Sequence, residues 1–336
     1  MNSRERVLAA MRGDSTDQPA VMPITMMFAA RHIGAKYGQY ALDHRILVEA
    51  QIRTARDFSF DHVSAITETR EAPDCGAVIR CFEDQPYALD ERKAVLADKS
   101  LLMDLPCPDP LQARHMHDRL QGIALLKEKV GDEKIIEGWV EGPCSGAADL
   151  RGINTLMLDF YDAPDFVQDL FQFALHLGLR FAEEQVKAGA EVIGVGDPTA
   201  SLVGPRIYRD FVWPWQKKLV DGLHAIGAHV RLHICGDTRR ILAGMGRLGC
   251  DIIDIDSRVS LADARRAMGP DQVLLGGIDP VRVLQNGTPD QISTALAECR
   301  HQAGSRYILG AGCEVPPDTP PANLLVLTKY AKSLGS

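Results

Sequence analysis

Eight short apolar stretches rich in β-branched residues, at 20–25, 62–67, 135–141, 191–196, 229–234, 251–256, 273–278 and 306–309, recur along this chain. Longer stretches with helical spacing separate them, most clearly at 46–57, 111–130, 164–188, 205–226, 238–248, 261–268 and 289–303. Strands that alternate with helices run parallel, because each helix returns the chain to the same edge of the sheet. No linker, low-complexity segment or composition break interrupts the series. It therefore predicts an α/β fold, a single (β/α)8 TIM barrel spanning 1–336, in preference to an open doubly wound sheet. Residues 71–110 break the rhythm with Cys75, Gly76, acidic residues and scattered prolines. We read them as an inserted β-hairpin and loop after the second strand, placed over the barrel mouth as a lid.

Composition narrows the partners. Apolar residues make up 46% and charged residues 24% of 336 positions, the proportions of a globular protein with a large core. The net charge is −8, from 45 acidic and 37 basic residues without a run of like charge, so neither nucleic acid nor a membrane surface is an expected partner. The amino-terminal segment reads as a short amphipathic helix stopping at Gly13, with no signal-like apolar core, and a cytoplasmic location is expected. Eight cysteines are too few for a disulfide scaffold of this length; metal binding or burial is their expected use.

In a barrel, chemistry gathers where strands end and their following loops begin. The predicted strand ends carry VEGPCSG, VGDPTAS, LHICGDT, DIIDID, LLGGIDP and LGAGCEVPPDTPP. His233 and Cys235, two apart on an extended segment, point to one side, and Cys313 comes from the last strand end. One imidazole and two thiolates suit zinc, and three protein ligands leave a fourth position open, as in catalytic sites. Spacing alone leaves a bland alternative equally open, with two buried cysteines and a core histidine.

Other polar residues at these ends have paired readings. Asp197 and Ser201 either orient a substrate or cap the helix starting at Pro205. Asp256 and Asp279 end the sixth and seventh strands; Asp279 precedes Pro280, which favours a turn role. Glu141 faces the site or serves the turn at Gly142 and Pro143, and Glu314 sits beside a candidate ligand. Burial is expected for Cys144, Cys250 and Cys299, and packing for Trp139, Trp213 and Trp215. Gly276 and Gly277 lack the Lys-Ser/Thr of a phosphate loop.

The run HICGDTRRIL, followed by GGIDP and GCEVPPDTPPANL, closely resembles the methylcobamide:coenzyme M methyltransferases of the uroporphyrinogen decarboxylase superfamily. The opening SRERVLAAMRGDSTDQPAVMP and the stretch GDPTASLVGPRIYRDFVWPW are similar to the same family, with Gln18 where Arg is usual. The resemblance covers nearly the whole chain. It implies that His233, Cys235 and Cys313 ligate Zn2+, which activates a thiol to accept a methyl group from a corrinoid. From their places at the strand ends, Asp197, Ser201, Glu141, Asp256 and Asp279 are the candidate substrate contacts. The Arg-Gln-Ala-Gly-Arg run that grips porphyrin carboxylates is replaced by TMMFAARHIGAKYGQY with a lone Arg31, which argues against porphyrin decarboxylation.

The leading expectation is a zinc methyltransferase acting between a methylcobalamin-type corrinoid on a transient partner protein and a small thiol. The chain has no Asp-x-His-x-x-Gly run to hold cobalt itself. Transfer from a methoxylated or methylated small molecule to a cob(I)alamin protein is the alternative, followed by a non-catalytic scaffold.

Overall fold

The computed structural model describes residues 1–335 apart from residue 69. Seven parallel strands form one curled sheet: β1 (His62–Ser64), β2 (Ile135–Glu141), β3 (Val192–Gly196), β4 (His229–His233), β5 (Ile252–Ile255), β6 (Val273–Gly276) and β7 (Tyr307–Ile308). They pair in chain order. Most of them are apolar because a parallel sheet wrapped by helices is covered on both faces; β1 (HVS), β2 and β4 (HVRLH) also carry polar residues.

The expected first strand, 20–25, is reduced to an isolated bridge at Val21. Met22 N donates to Leu309 O (2.9 Å) and Leu309 N to Ala20 O (2.8 Å), while Asp61 N donates to Val21 O (3.0 Å). This segment therefore lies between the two edges of the sheet. Pro19 and Pro23 bracket it, and a proline supplies no ladder N–H, so pairing cannot extend far in either direction.

The amino ends of the strands are plugged by Met22, Ile135, Val192, Ile252, Val273, Leu275 and Ile308, packed with Val7. Val7 belongs to the helix Ser3–Arg12, which opens with an Asn2–Glu5 capping box and closes at Gly13 in the left-handed conformation (φ 78°). With that end sealed by side chains, the carboxyl ends are left for a site.

Several helices differ from expectation. The expected helix 205–226 is a turn Pro205–Ile207, a π-helical turn Tyr208–Val212 and a helix Trp213–Ala225. Pro214 has no N–H to return to the preceding turn, which favours the wider turn just before it. The expected helix 238–248 shrinks to Leu242–Gly246 in a glycine-rich stretch. Unforeseen helices occur at Met27–His32, Tyr37–Leu42, Pro143–Arg151, Ile153–Asp162 and Pro321–Ser333. Segment 71–110 contains a helix Glu71–Asp74, an antiparallel pair of Ile79–Arg80 with Ala88–Leu89, and two 3-10 turns. Among the described residues no helix is long and apolar enough to cross a membrane.

Candidate metal centre and reaction pocket

Register sets the position of the central histidine. His233, the last residue of β4, lies between Gly196 of β3 and Asp254 of β5. Directly paired residues on neighbouring strands project to the same face, so Asp254 meets His233 by construction. Asp254 Oδ2 accepts a hydrogen bond from His233 Nδ1 at 2.9 Å. This leaves Nε2 facing outward, 3.8 Å from Cys313 Sγ. One donor atom from each of His233, Cys235 and Cys313 lies within 4.8 Å of the others.

Beneath the histidine runs a buried ionic chain that the sequence did not reveal. The Arg231 guanidinium, fully buried, bonds Asp254 through Nε and Nη2 (both 2.9 Å) and Glu137 through Nη1 (3.1 Å). Trp139 Nε1 donates to Ser64 Oγ (2.8 Å) and Glu137 Oε2 (3.1 Å), and its ring meets His233 edge-on at 6.4 Å. Trp139 was expected to be plain packing; it forms part of the floor. The signal available in sequence was the polar and aromatic residues alternating along β2 and β4, which puts Glu137 with Trp139 and Arg231 with His233 on one face of their own strands; the register through Gly194 brings the two pairs together.

Electrostatics follow from these contacts. Burial alone disfavours charge on His233, but Asp254 and the Cys313 sulfur outweigh it and raise its pKa to about 9. Burial pushes the Asp254 carboxyl up while Arg231 pulls it further down, so it is held below its ordinary value. Cys235 is lowered, chiefly through its hydrogen bond with Cys313, with a smaller assist from the positive charge of Arg258. Cys313 is raised by the same bond and by burial. Two adjacent sulfurs cannot both ionise cheaply without a cation between them.

The two cysteines open onto a pocket of about 680 Å³ whose lining includes Ser201, Asp256, Arg258, Asp279, Leu202 and Val281. Of the expected substrate contacts, Ser201, Asp256 and Asp279 thus reach the pocket. Asp256 is also a brace: its carboxylate accepts Gly236 N and Arg258 N (both 2.8 Å), tying the loop after β5 to the loop carrying Cys235. Asp279 caps the turn Pro280–Gln285 through Val281 N and Arg282 N. Asp197 does not line the pocket: fully buried, it accepts Ser145 N and Gln216 Nε2 (both 2.8 Å) and serves to fasten neighbouring segments.

Glu141 lines an adjoining pocket of about 390 Å³ with Glu68, Glu91, Asp149 and Tyr87, so segment 71–110 supplies part of that wall. Burial and nearby acids hold Glu141 well above the ordinary carboxyl range. Glu314 accepts Met27 N (2.8 Å) and is raised by burial to about 7. Cys144 and Cys250 are buried and Cys299 is partly so. Arg31 is tied to Asp318 at the surface.

The profile of the uroporphyrinogen decarboxylase (URO-D) family matches residues 2–334. The chain belongs to the URO-D family. Within it, methylcobamide:CoM methyltransferase MtbA of Methanosarcina mazei is 32% identical over 270 residues, covering 80% of this chain and 77% of that protein. Methylcobamide:CoM methyltransferase MtaA of Methanosarcina barkeri (strain Fusaro) is 26% identical over 333 residues, 96% of each chain. A solved structure of a methyltransferase from Methanosarcina mazei superposes with a TM-score of 0.91 over 100% of both chains at 22% identity, a shared fold. This URO-D protein stands with the methyltransferases of the family and is an enzyme of that branch.

Proposed function

We propose that this protein is a zinc-dependent methyltransferase moving a methyl group between a corrinoid carried by a partner protein and a small thiol such as coenzyme M. The observation that carries this reading is the convergence of His233, Cys235 and Cys313 within 4.8 Å, with both cysteines on the lining of an open pocket. The donor set fits the metal. A tetrahedral zinc with Zn–N near 2.0 Å and Zn–S near 2.3 Å requires N···S edges of about 3.5 Å, and the His233–Cys313 separation is 3.8 Å. His233 Nε2, Cys235 Sγ and Cys313 Sγ would hold the ion. When bound, it supplies the Lewis acidity that keeps a thiol deprotonated at neutral pH.

The chain's own residues do the rest. Asp254 holds His233 in the tautomer that presents Nε2 to the pocket, and Arg231 keeps Asp254 ionised. Asp256 fixes the Cys235 loop against the loop after β5. Leu202 and Val281, exposed on the pocket lining, give the mouth an apolar rim against which a corrinoid protein can exclude water. The reading takes 1–336 as one (β/α)8 unit closed through Val21, with segment 71–110 as a wall beside the mouth. It places substrate contacts at Ser201, Asp256 and Asp279, with Glu141 in the adjoining recess.

Two measurements test it. Metal analysis of the purified protein is expected to give near-stoichiometric zinc, lost in Cys235→Ala and Cys313→Ala. With methylcobalamin, the methyl–cobalt spectrum is expected to decay only when a thiol is present. Full metal in both cysteine variants, or decay independent of thiol, would sink the proposal.

A further inference from the structure

The pocket above Cys235 and Cys313 has unlike charges on its two sides. Arg258 and Arg282 both line it, from the loops after β5 and β6. Arg282 lies 3.5 Å from Asp279 and is partly neutralised. Arg258 pairs with no carboxylate among the described residues; its backbone N–H is anchored on Asp256 and its side chain is exposed. Asp256 and Asp279 line the same side, but each carboxylate is engaged by backbone N–H groups, Gly236 and Arg258 on Asp256 and Val281 and Arg282 on Asp279, so Arg258 is the guanidinium left without a carboxylate partner. The adjoining recess, which shares Ile153, Pro198 and Thr199 with this pocket, carries Glu68, Glu91, Glu141 and Asp149 and no lysine or arginine in its lining, so an anion entering the pocket is better placed at Arg258 than there.

We propose that Arg258 selects the substrate of this pocket: its guanidinium takes an oxyanion, a sulfonate or a carboxylate, at the end of the thiol remote from sulfur. The inference rests on the thiol-transfer reading and adds to it a specificity-determining residue and a direction. The sulfur lies at the His233–Cys235–Cys313 end and the anionic end at Arg258, in the loop after β5, away from the acidic recess. A guanidinium suits this task because its planar fork of N–H donors matches two oxygens of a sulfonate or carboxylate at once. A backbone already fastened at Asp256 lowers the ordering needed on binding.

The test uses the metal-loaded full chain, methylcobalamin and four thiols that differ only at the remote end or nearly so: 2-mercaptoethanesulfonate, 3-mercaptopropionate, 2-mercaptoethanol and cysteamine. The parent is expected to show lower KM for the two anionic thiols than for the neutral and cationic ones. Arg258→Gln is expected to raise KM for the anionic thiols by about tenfold or more beyond its effect on 2-mercaptoethanol, as loss of a charge-assisted pair predicts. Arg258→Lys should restore part of that discrimination. Calorimetric binding of ethanesulfonate, which has no thiol, gives a second readout and should weaken in Arg258→Gln. A parent that prefers cysteamine, or an Arg258→Gln variant that shifts all four thiols alike and binds ethanesulfonate normally, would overturn the inference. Failure of every thiol to be methylated, with Arg258-dependent ethanesulfonate binding intact, would remove the transfer reading and leave the anion subsite standing.

Discussion

Asp254 Oδ2 lies 2.9 Å from His233 Nδ1, and the same carboxylate is gripped by Arg231. One buried acid thus fixes the imidazole from below while its own charge is compensated from the side. This leaves Nε2 as the only ring nitrogen free to act at the pocket.

Asp254→Asn removes the charge and allows the amide to present a donor where His233 needs an acceptor. Zinc affinity, measured by competition with a chromophoric chelator, is expected to fall by about 10- to 100-fold. Unchanged affinity would mean that the ring is oriented by other contacts.

Arg231→Met would strand Glu137 as a buried acid without its guanidinium and leave Asp254 with His233 alone. Removing one member of such a group costs about 3–5 kcal/mol. Urea unfolding should show this loss, and the double variant Arg231→Met/Glu137→Gln should recover part of it. A full loss in the double variant as well would show that packing, not the stranded charge, dominates.

Gly194 of β3 lies under the indole of Trp139; an added Cβ would meet the ring at 2.4 Å. Gly194→Ala must therefore displace Trp139, and overpacking of this kind costs about 1–3 kcal/mol. Because Trp139 also contacts His233, its emission spectrum should shift and zinc affinity should fall together. A shift in emission without any change in zinc affinity would separate the floor from the metal centre.

At the opposite end of the strands, Asp251 accepts hydrogen bonds from Val230 N (2.8 Å), His229 (3.0 Å) and His224 (2.9 Å). Burial pushes its pKa up, but these bonds, His229 first, prevail and bring it to about 2. A depressed acid stabilises the fold above its ordinary value of 3.8 and loses that contribution as pH falls toward about 2. His229 is raised, chiefly by its bond to Asp251, so its share is complete below 6.5 and is lost as pH rises through the raised value. Asp251→Asn should therefore cost most between these limits, about 1 kcal/mol after solvent screening of partly exposed partners. Denaturant midpoints at pH 2.5, 5.5 and 8.5 give the profile; a cost that is flat with pH would rule out this origin.

Periodicity made most of the architecture legible. The strands at 135–141, 191–196, 229–234, 251–256 and 273–278 are readable because each is a short stretch rich in β-branched and aliphatic residues closed by turn residues. The expected strand 20–25 was misjudged in extent because apolar character does not report whether a backbone N–H exists, and Pro23 removes one. The helix 205–226 was readable as a helix, but its widened turn before Pro214 depends on where the freed backbone carbonyl finds a partner. Asp197 illustrates the same limit at the site. A carboxylate at a strand end has equal local reason to face substrate or its own neighbours, and only the positions of Ser145 and Gln216 assign it to the latter.

The sequence by itself determined the alternation of strands and helices and membership in the URO-D family. It also nominated the trio His233, Cys235 and Cys313, through the family resemblance and strand parity, while spacing alone left a buried-cysteine reading equally open. The tertiary structure decided that Asp254 and Arg231 lie beneath His233, that Trp139 is part of the floor, and that Arg258 lines the same pocket as Cys235 and Cys313. Those relations depend on the register between strands 20 or more residues apart and on which side chains share a buried face. Neither is encoded in local spacing, because a one-residue slip of any strand would reverse every face while leaving its apolar run intact.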